Sequence, residues 1–230
     1  MSKSSKALTK RQREALRRRQ QRQRSIFGTA SIAVLAIVIV VAIVIQRQSS
    51  SSSEPSAAPT SSSGLRGLLT GPPPWSANID QLGARLHALG LPALATEGTA
   101  LHIHQHLDVF VDGERVTVPA GIGIQQSQGF ISPLHTHDDS GIIHVESPTR
   151  RDFTLGEVFG VWGVRLTREC LGGSCGGGGK ELRVFVDGER VEGDPTQVVL
   201  ASHQEIVVAF GTAAELPDPI PSSYDFPAGL

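Results

Sequence analysis

Twenty consecutive residues without a charge, Ile26 to Ile45 (IFGTASIAVLAIVIVVAIVI), set the first limit on how this chain can fold. A helix rising ~1.5 Å per residue needs about that length to cross the ~30 Å hydrocarbon core of a bilayer. The segment therefore predicts a transmembrane helix over 25–46, with residues 26–45 in contact with lipid. A cleaved signal peptide also begins with positive charge, but its apolar core runs ~7–15 residues and ends at a small-x-small site. Here the exit reads AIVIQRQ, with Ile43 and Ile45 where small residues are wanted, so the reading is an uncleaved signal anchor.

Residues 1–24 carry ten Lys or Arg against one acid, Glu14. Basic residues close to a spanning helix stay on the cytoplasmic side. The expected topology is a single-pass plasma-membrane protein with a short basic arm inside and everything after Ile45 outside. The rest of the chain holds 11 Lys or Arg against 21 Asp or Glu, a net charge of −10. Such a field favours cations and argues against nucleic-acid binding by the outer part. Residues 47–74 are Ser, Pro and Gly with little to bury, the composition of a spacer. Residues 217–230 contain four prolines and read as a non-helical tail.

Between them, residues 75–216 are enough for one domain with a core. A helix is predicted over NIDQLGARLHALG, with Asn78 as N-cap, Ile79, Leu82, Leu86 and Leu89 on one face, and Gly90 and Pro92 as stop signals. A second is predicted over DFTLGEVFGVWG, where Thr154 and Glu157 form a capping box and Phe153 and Val158 a hydrophobic staple. Strands account for the remainder. LHIHQHLDVFV leads through Asp112-Gly113 into ERVTVP, a hairpin signal, and the phrase VFVDGERV recurs at 184–191. Further strands are expected at 182–186, 189–192 and 205–210. The fold class is α+β, a mostly antiparallel and β-grasp-like sheet with one or two packed helices. Cys170 and Cys175 lie in a glycine-rich loop on the oxidising side, where a disulfide is the leading expectation and a pair of metal-binding thiolates, with no histidine nearby in sequence, the alternative.

Six of the eight histidines lie between 102 and 144: His102, His104, His106, His135, His137 and His144. Strand alternation puts His102, His104 and His106 on one face and Ile103, Leu107, Val109 and Val111 on the other. SPLHTHDDSGIIHVES reads as strand, four-residue loop, strand. That register pairs His137 with Ile142 and His135 with His144, leaving His135, His137, His144 and Glu146 on one side. Histidine is also a tolerable polar strand residue. Six in 43 positions, in H-x-H-x-H and H-x-H patterns, fit a divalent transition-metal site better. Imidazoles at ~2.0–2.1 Å must approach one ion from several directions, and neighbouring strands supply them so. His102 and His106 stand ~13 Å apart along a strand. Either one histidine of that group lies behind the ligands or the six build more than one site.

The only methionine is Met1, which removes thioether ligation of copper(I) outside the membrane; imidazole suits zinc, copper, nickel and iron, and the all-imidazole, oxidising setting ranks copper(II) and zinc first. PLHTH with a later histidine resembles the cupin metal motif. It departs from that motif in lacking a glutamate a few residues after H-x-H, and no cupin function is carried over. The leading reading is an extracytoplasmic protein that sequesters, delivers or senses copper or zinc. A second is a metal-dependent enzyme with Asp138, Asp139 or Glu146 as acid or base, and a third is an envelope module with a protein partner and pH-sensitive histidines.

Overall fold

The computed structural model describes residues 64–230; the basic arm, the predicted membrane helix and most of the spacer lie outside the described residues. Among the described residues no helix is long and apolar enough to cross a membrane. They form an α+β domain with a mostly antiparallel sheet and two helices, α1 (Leu82–Leu89) and α2 (Leu155–Trp162). The strands are β1 (Leu101–Val111), β2 (Glu114–Val116), β3 (Ile124–Gln125), β4 (Phe130–Ile131), β5 (Leu134–His135), β6 (Ile142–Ser147), β7 (Cys170–Leu171), β8 (Ser174–Cys175), β9 (Glu181–Val186), β10 (Glu189–Arg190) and β11 (Glu205–Gly211).

The main sheet runs β10-β9-β11-β1-β6-β5, with β2 also on β1, and only the β1–β11 pair is parallel. β1 is long enough to serve two neighbours along one edge. Residues 101–106 pair with β6 and residues 109–111 with β2. Alternation then divides the side chains. Leu107, Val109 and Val111 of β1, Ile143 and Val145 of β6, Val184 of β9, and Ile206, Val208 and Phe210 of β11 enter one core with Leu82 and Leu86 of α1 and Leu155, Val158, Phe159 and Trp162 of α2. Each such side chain contributes about 1.5–3 kcal/mol when fully buried.

On the opposite face a smaller cluster of Phe185, Val207 and Ala209 is packed by Phe110, Leu216 and Ile220. The proline-rich C-terminal residues thus line the face that carries the histidines.

α2 begins as its sequence requires. Thr154 accepts from the Glu157 N–H and the Glu157 carboxylate accepts from the Thr154 N–H, satisfying donors that the first turn leaves open. Phe153 and Val158 are both buried in the main core. α1 departs from its expected start. The helix opens after Gln81 rather than Asn78, and Ile79 is 38% exposed. Asn78 has a left-handed backbone, φ 45°, in place of the extended one an N-cap takes, and its Nδ2 donates to the carbonyls of Gly67 and Gly163. Arg85, fully buried within α1, donates to the carbonyls of Gly160 and Val161 near the end of α2, where the helix dipole favours a cation.

Residues 64–74, spacer by composition, also join the fold. Leu69 bridges to Val164, and its N–H donates to Gly163 at 2.7 Å. Cys170 and Cys175 form a disulfide across the β7–β8 hairpin.

Candidate metal centre

Three strands bring the histidines together. β1 pairs His104 with His144 of β6 and His102 with Glu146, and β5 pairs His135 with His144. His104, His144 and His135 therefore form one row across adjacent strands, ~4.8 Å apart from strand to strand. The His135–His144 register is the one the sequence predicts. The His137–Ile142 pair is not formed: on the β5 side of β6 the ladder ends at His135–His144. The Thr136 backbone turns away to Gly121 and Ile122, accepting from the Gly121 N–H and donating to the Ile122 carbonyl. His137 leaves the ladder and its ring sits edge-on to His144, with centroids 4.5 Å apart.

The donor atoms are close enough to share ions. His102 and His104 approach through Nε2 at 3.1 Å, and His135 and His137 through Nε2 at 3.2 Å. Glu146 Oε1 lies 3.2 Å from His144 Nδ1, 3.3 Å from His102 Nε2 and 4.0 Å from His135 Nε2. Four donors around a tetrahedral ion at ~2.05 Å are separated by about 3.3 Å, so these spacings match the edge of such a polyhedron. Two groups of four could each hold an ion, His102, His104, His144, Glu146 and His135, His137, His144, Glu146.

The site has a buried floor and an open rim. His104, His135, His144 and Glu146 are buried, whereas the side chains of His102 and His137 are 54% and 45% exposed. Burial, then the neighbouring His137, holds His135 down to about 3 and His144 to about 4, and burial followed by His102 lowers His104. Charging an imidazole there means removing it from water and placing it among others. At neutral pH the floor therefore offers uncharged imidazoles, the form that binds metal. His135 is also oriented: its Nδ1–H donates to the Ser132 carbonyl at 3.0 Å, which leaves the Nε2 lone pair facing His137 and Glu146. Burial, then the nearby Glu97 carboxylate, raises Glu146 above the usual carboxylate range.

His106 stands in a different group. Its Nδ1 meets Glu205 Oε2 at 2.7 Å, its Nε2 meets the Ser140 carbonyl at 2.9 Å, and its ring stacks on Tyr224 at 3.8 Å. With Asp108 and Glu205 it makes a third, fully buried group that could hold an ion. Both of its nitrogens are already engaged, and Asp108 accepts from Arg115. His106 thus ties β1 to β11, to the 138–141 loop and to the tail. A side chain at Gly141 would press on His106 Nε2 and the Leu107 carbonyl, so only glycine closes that loop. Asp138, considered as an acid or base, is instead taken up by Ser140 in the same loop, and that hydrogen bond lowers its carboxyl below the usual range.

Sequence reasoning did not find Glu97. Its Oε1 lies 3.5 Å from His137 Nε2 and 4.0 Å from His135 Nε2, yet it comes from an irregular segment with no periodicity to place it. A groove of about 980 Å³ lined by Asn78, Ile79, Gly121, Gln125 and Ser127 opens beside the cluster, with His137 at its edge. No family model matches the chain, and neither the curated proteins nor the solved structures give a match.

Proposed function

We propose that this chain is a membrane-anchored extracytoplasmic protein that binds copper(II) or zinc through its histidine cluster, to sequester, deliver or sense the metal at the plasma membrane. The observation that carries this reading is the meeting of His102, His104, His135, His137 and His144 around Glu146 at metal-ligand spacing. The acidic outer part would concentrate cations, and residues 26–45 would hold it to the bilayer with the N-terminus cytoplasmic. The frame is read as β-grasp-like, supported by the order β2-β1-β11-β9-β10 with β1 and β11 parallel and α2 packed on one face.

The test uses the full chain in detergent, stripped of metal by a chelator and titrated with copper(II) or zinc. Stoichiometric binding by calorimetry and metal analysis is expected. Binding no better than in a His104→Ala, His135→Ala, His144→Ala variant would overturn the reading.

The groove beside His137 favours a second reading, a metal-dependent enzyme. Its polar wall, with Asn78, Gln125 and Ser127, would hold a small polar substrate while Glu146 or Glu97 moved a proton. Metal-dependent turnover of a hydrolysable ester or amide, lost in Gln125→Ala with the metal still bound, would separate this reading from storage or delivery.

A further inference from the structure

Resting on the metal-binding reading, we propose that the cluster is a two-ion centre, in which Glu146 bridges two divalent transition-metal ions held by the His102/His104 pair and the His135/His137 pair.

Reach decides which donors can share one ion. Two ligands on opposite sides of an ion at ~2.1 Å are at most about 4.2 Å apart. In each candidate group the donor atoms lie within 4.8 Å of one another, wider than that span, and still neither group contains a nitrogen from both pairs. His102 and His104 therefore serve one position and His135 and His137 another. Within each pair the nitrogens are 3.1 and 3.2 Å apart, so each pair already has the bite of a single ion.

What the two positions have in common is His144 and Glu146. One imidazole nitrogen serves one ion. A carboxylate can bridge two ions, through one oxygen or through both, and two-metal sites hold their ions ~3.5–4 Å apart. Glu146 is placed for this: its Oε1 faces His102 at 3.3 Å and His135 at 4.0 Å, and it is buried between them.

The remaining donors divide evenly. His144 completes the His102/His104 position. Glu97, next to His137 and His135, completes the other, so that each ion has four protein donors. The two carboxylates offset half of the charge of two dications. The strand register builds this arrangement directly, because His102 lies opposite Glu146 while His104 and His135 lie on either side of His144.

The experiment uses the full chain in detergent, metal-stripped and loaded with copper(II) in glycine-containing buffer to hold off weakly bound ions. Copper per chain and the copper electron paramagnetic resonance signal are both read. Two ions joined by a carboxylate couple magnetically, so the signal per copper should fall at least twofold below that of an isolated ion. The ratio should drop from two to one in His102→Ala/His104→Ala and also in His135→Ala/His137→Ala, with an uncoupled signal returning in each. The rim variants His102→Ala and His137→Ala, at half-exposed positions that the core does not need, should each weaken one ion only. One copper per chain, weakened by both double variants, overturns the two-ion centre and leaves metal binding standing. No bound copper in the wild-type chain overturns both.

Discussion

The octapeptide VFVDGERV occurs at 109–116 and at 184–191, and the two copies make the same turn at the end of different strands. In the first, Val111 pairs with Glu114 and Phe110 with Arg115. In the second, Val186 pairs with Glu189 and Phe185 with Arg190. The turn residues agree as closely, with φ of 53° and 86° at Asp112 and Gly113, and 51° and 83° at Asp187 and Gly188. Left-handed backbone at both positions is what a two-residue hairpin loop needs to match strand twist, and Asp-Gly supplies it. The difference lies upstream. β1 reaches back through His106, His104 and His102 to pair with β6, whereas β9 begins just after a glycine run. The hairpin is thus a local solution used twice, and the chemistry comes from extending one copy.

The largest expected effect tests that division. Removing His104, His135 and His144 together should lower copper or zinc affinity by a thousandfold or more, above about 4 kcal/mol at ~1.4 kcal/mol per tenfold. Glu114→Ala or Glu189→Ala, in the shared phrase, should change affinity less than about twofold in the same competition titration, as surface changes away from such features usually do. Equal losses from both kinds of change would mean that the shared phrase, too, holds the metal.

Acid should act on the extension and spare the shared phrase. An unfolded imidazole titrates near ~6.5, whereas His135 and His144 are held at about 3 and about 4 in the fold. Below pH 6.5 the unfolded chain therefore binds protons that the native chain refuses. Stability is constant above that point, falls as pH drops, and stops falling from this source near the folded values. The slope is about 1.4 kcal/mol per pH unit per histidine, roughly 3–4 kcal/mol for the pair between pH 7 and pH 5. Urea unfolding of the metal-stripped chain, followed through the buried Trp75 and Trp162, should show it. His135→Gln/His144→Gln should remove most of the slope, and an unchanged slope would place the acid response elsewhere.

What could be read from sequence follows the same line between local and distant causes. The Asp-Gly turns, the Thr154–Glu157 cap and the His135–His144 register depend on residues a few positions apart, and their spacing carries the information. Glu97 and the Tyr224 stack on His106 depend on irregular segments brought in by the fold, for which no periodicity exists. The start of α1 failed for a related reason. Asn78 has the side chain of an N-cap, but its backbone is left-handed at φ 45° rather than extended, and its Nδ2 is turned to distant carbonyls at Gly67 and Gly163. His137 illustrates both causes, placed by its H-x-H spacing and then swung out of the ladder by Thr136 pairing with Gly121 and Ile122.

The two turn glycines differ in what surrounds them. Alanine at either must hold a left-handed conformation, costing about 1–2 kcal/mol. A Cβ at Gly113 would meet Glu215 Cβ at an ordinary 3.8 Å, whereas at Gly188 it would meet Ser222 Cβ at 2.8 Å. Gly188→Ala should therefore cost about 1 kcal/mol more than Gly113→Ala, a contact the tail imposes on one copy. Ser222→Gly should remove that excess in urea unfolding and leave the conformational cost; a persistent excess would show that the tail is not its source.

The smallest effect separates the two arginines of the phrase. Arg115 Nε donates at 2.8 Å to Asp108, a buried carboxylate on β1, while the position equivalent to Asp108 in the second copy is Arg183. Arg190 instead reaches the exposed carboxylates of Glu181 and Glu192 at 3.6 and 3.8 Å. Arg115→Ala leaves a buried charge without its partner, which costs more than the pair was worth. Because Arg115 is itself 60% exposed, water recovers part of that loss, and about 1 kcal/mol is expected. Arg190→Ala should stay within about 0.5 kcal/mol, since exposed pairs contribute little. Asp108→Asn/Arg115→Ala should recover most of the first loss, because the buried charge goes with its partner. If it does not, the Arg115 effect comes from packing of its side chain, and the copies differ in shape rather than in charge.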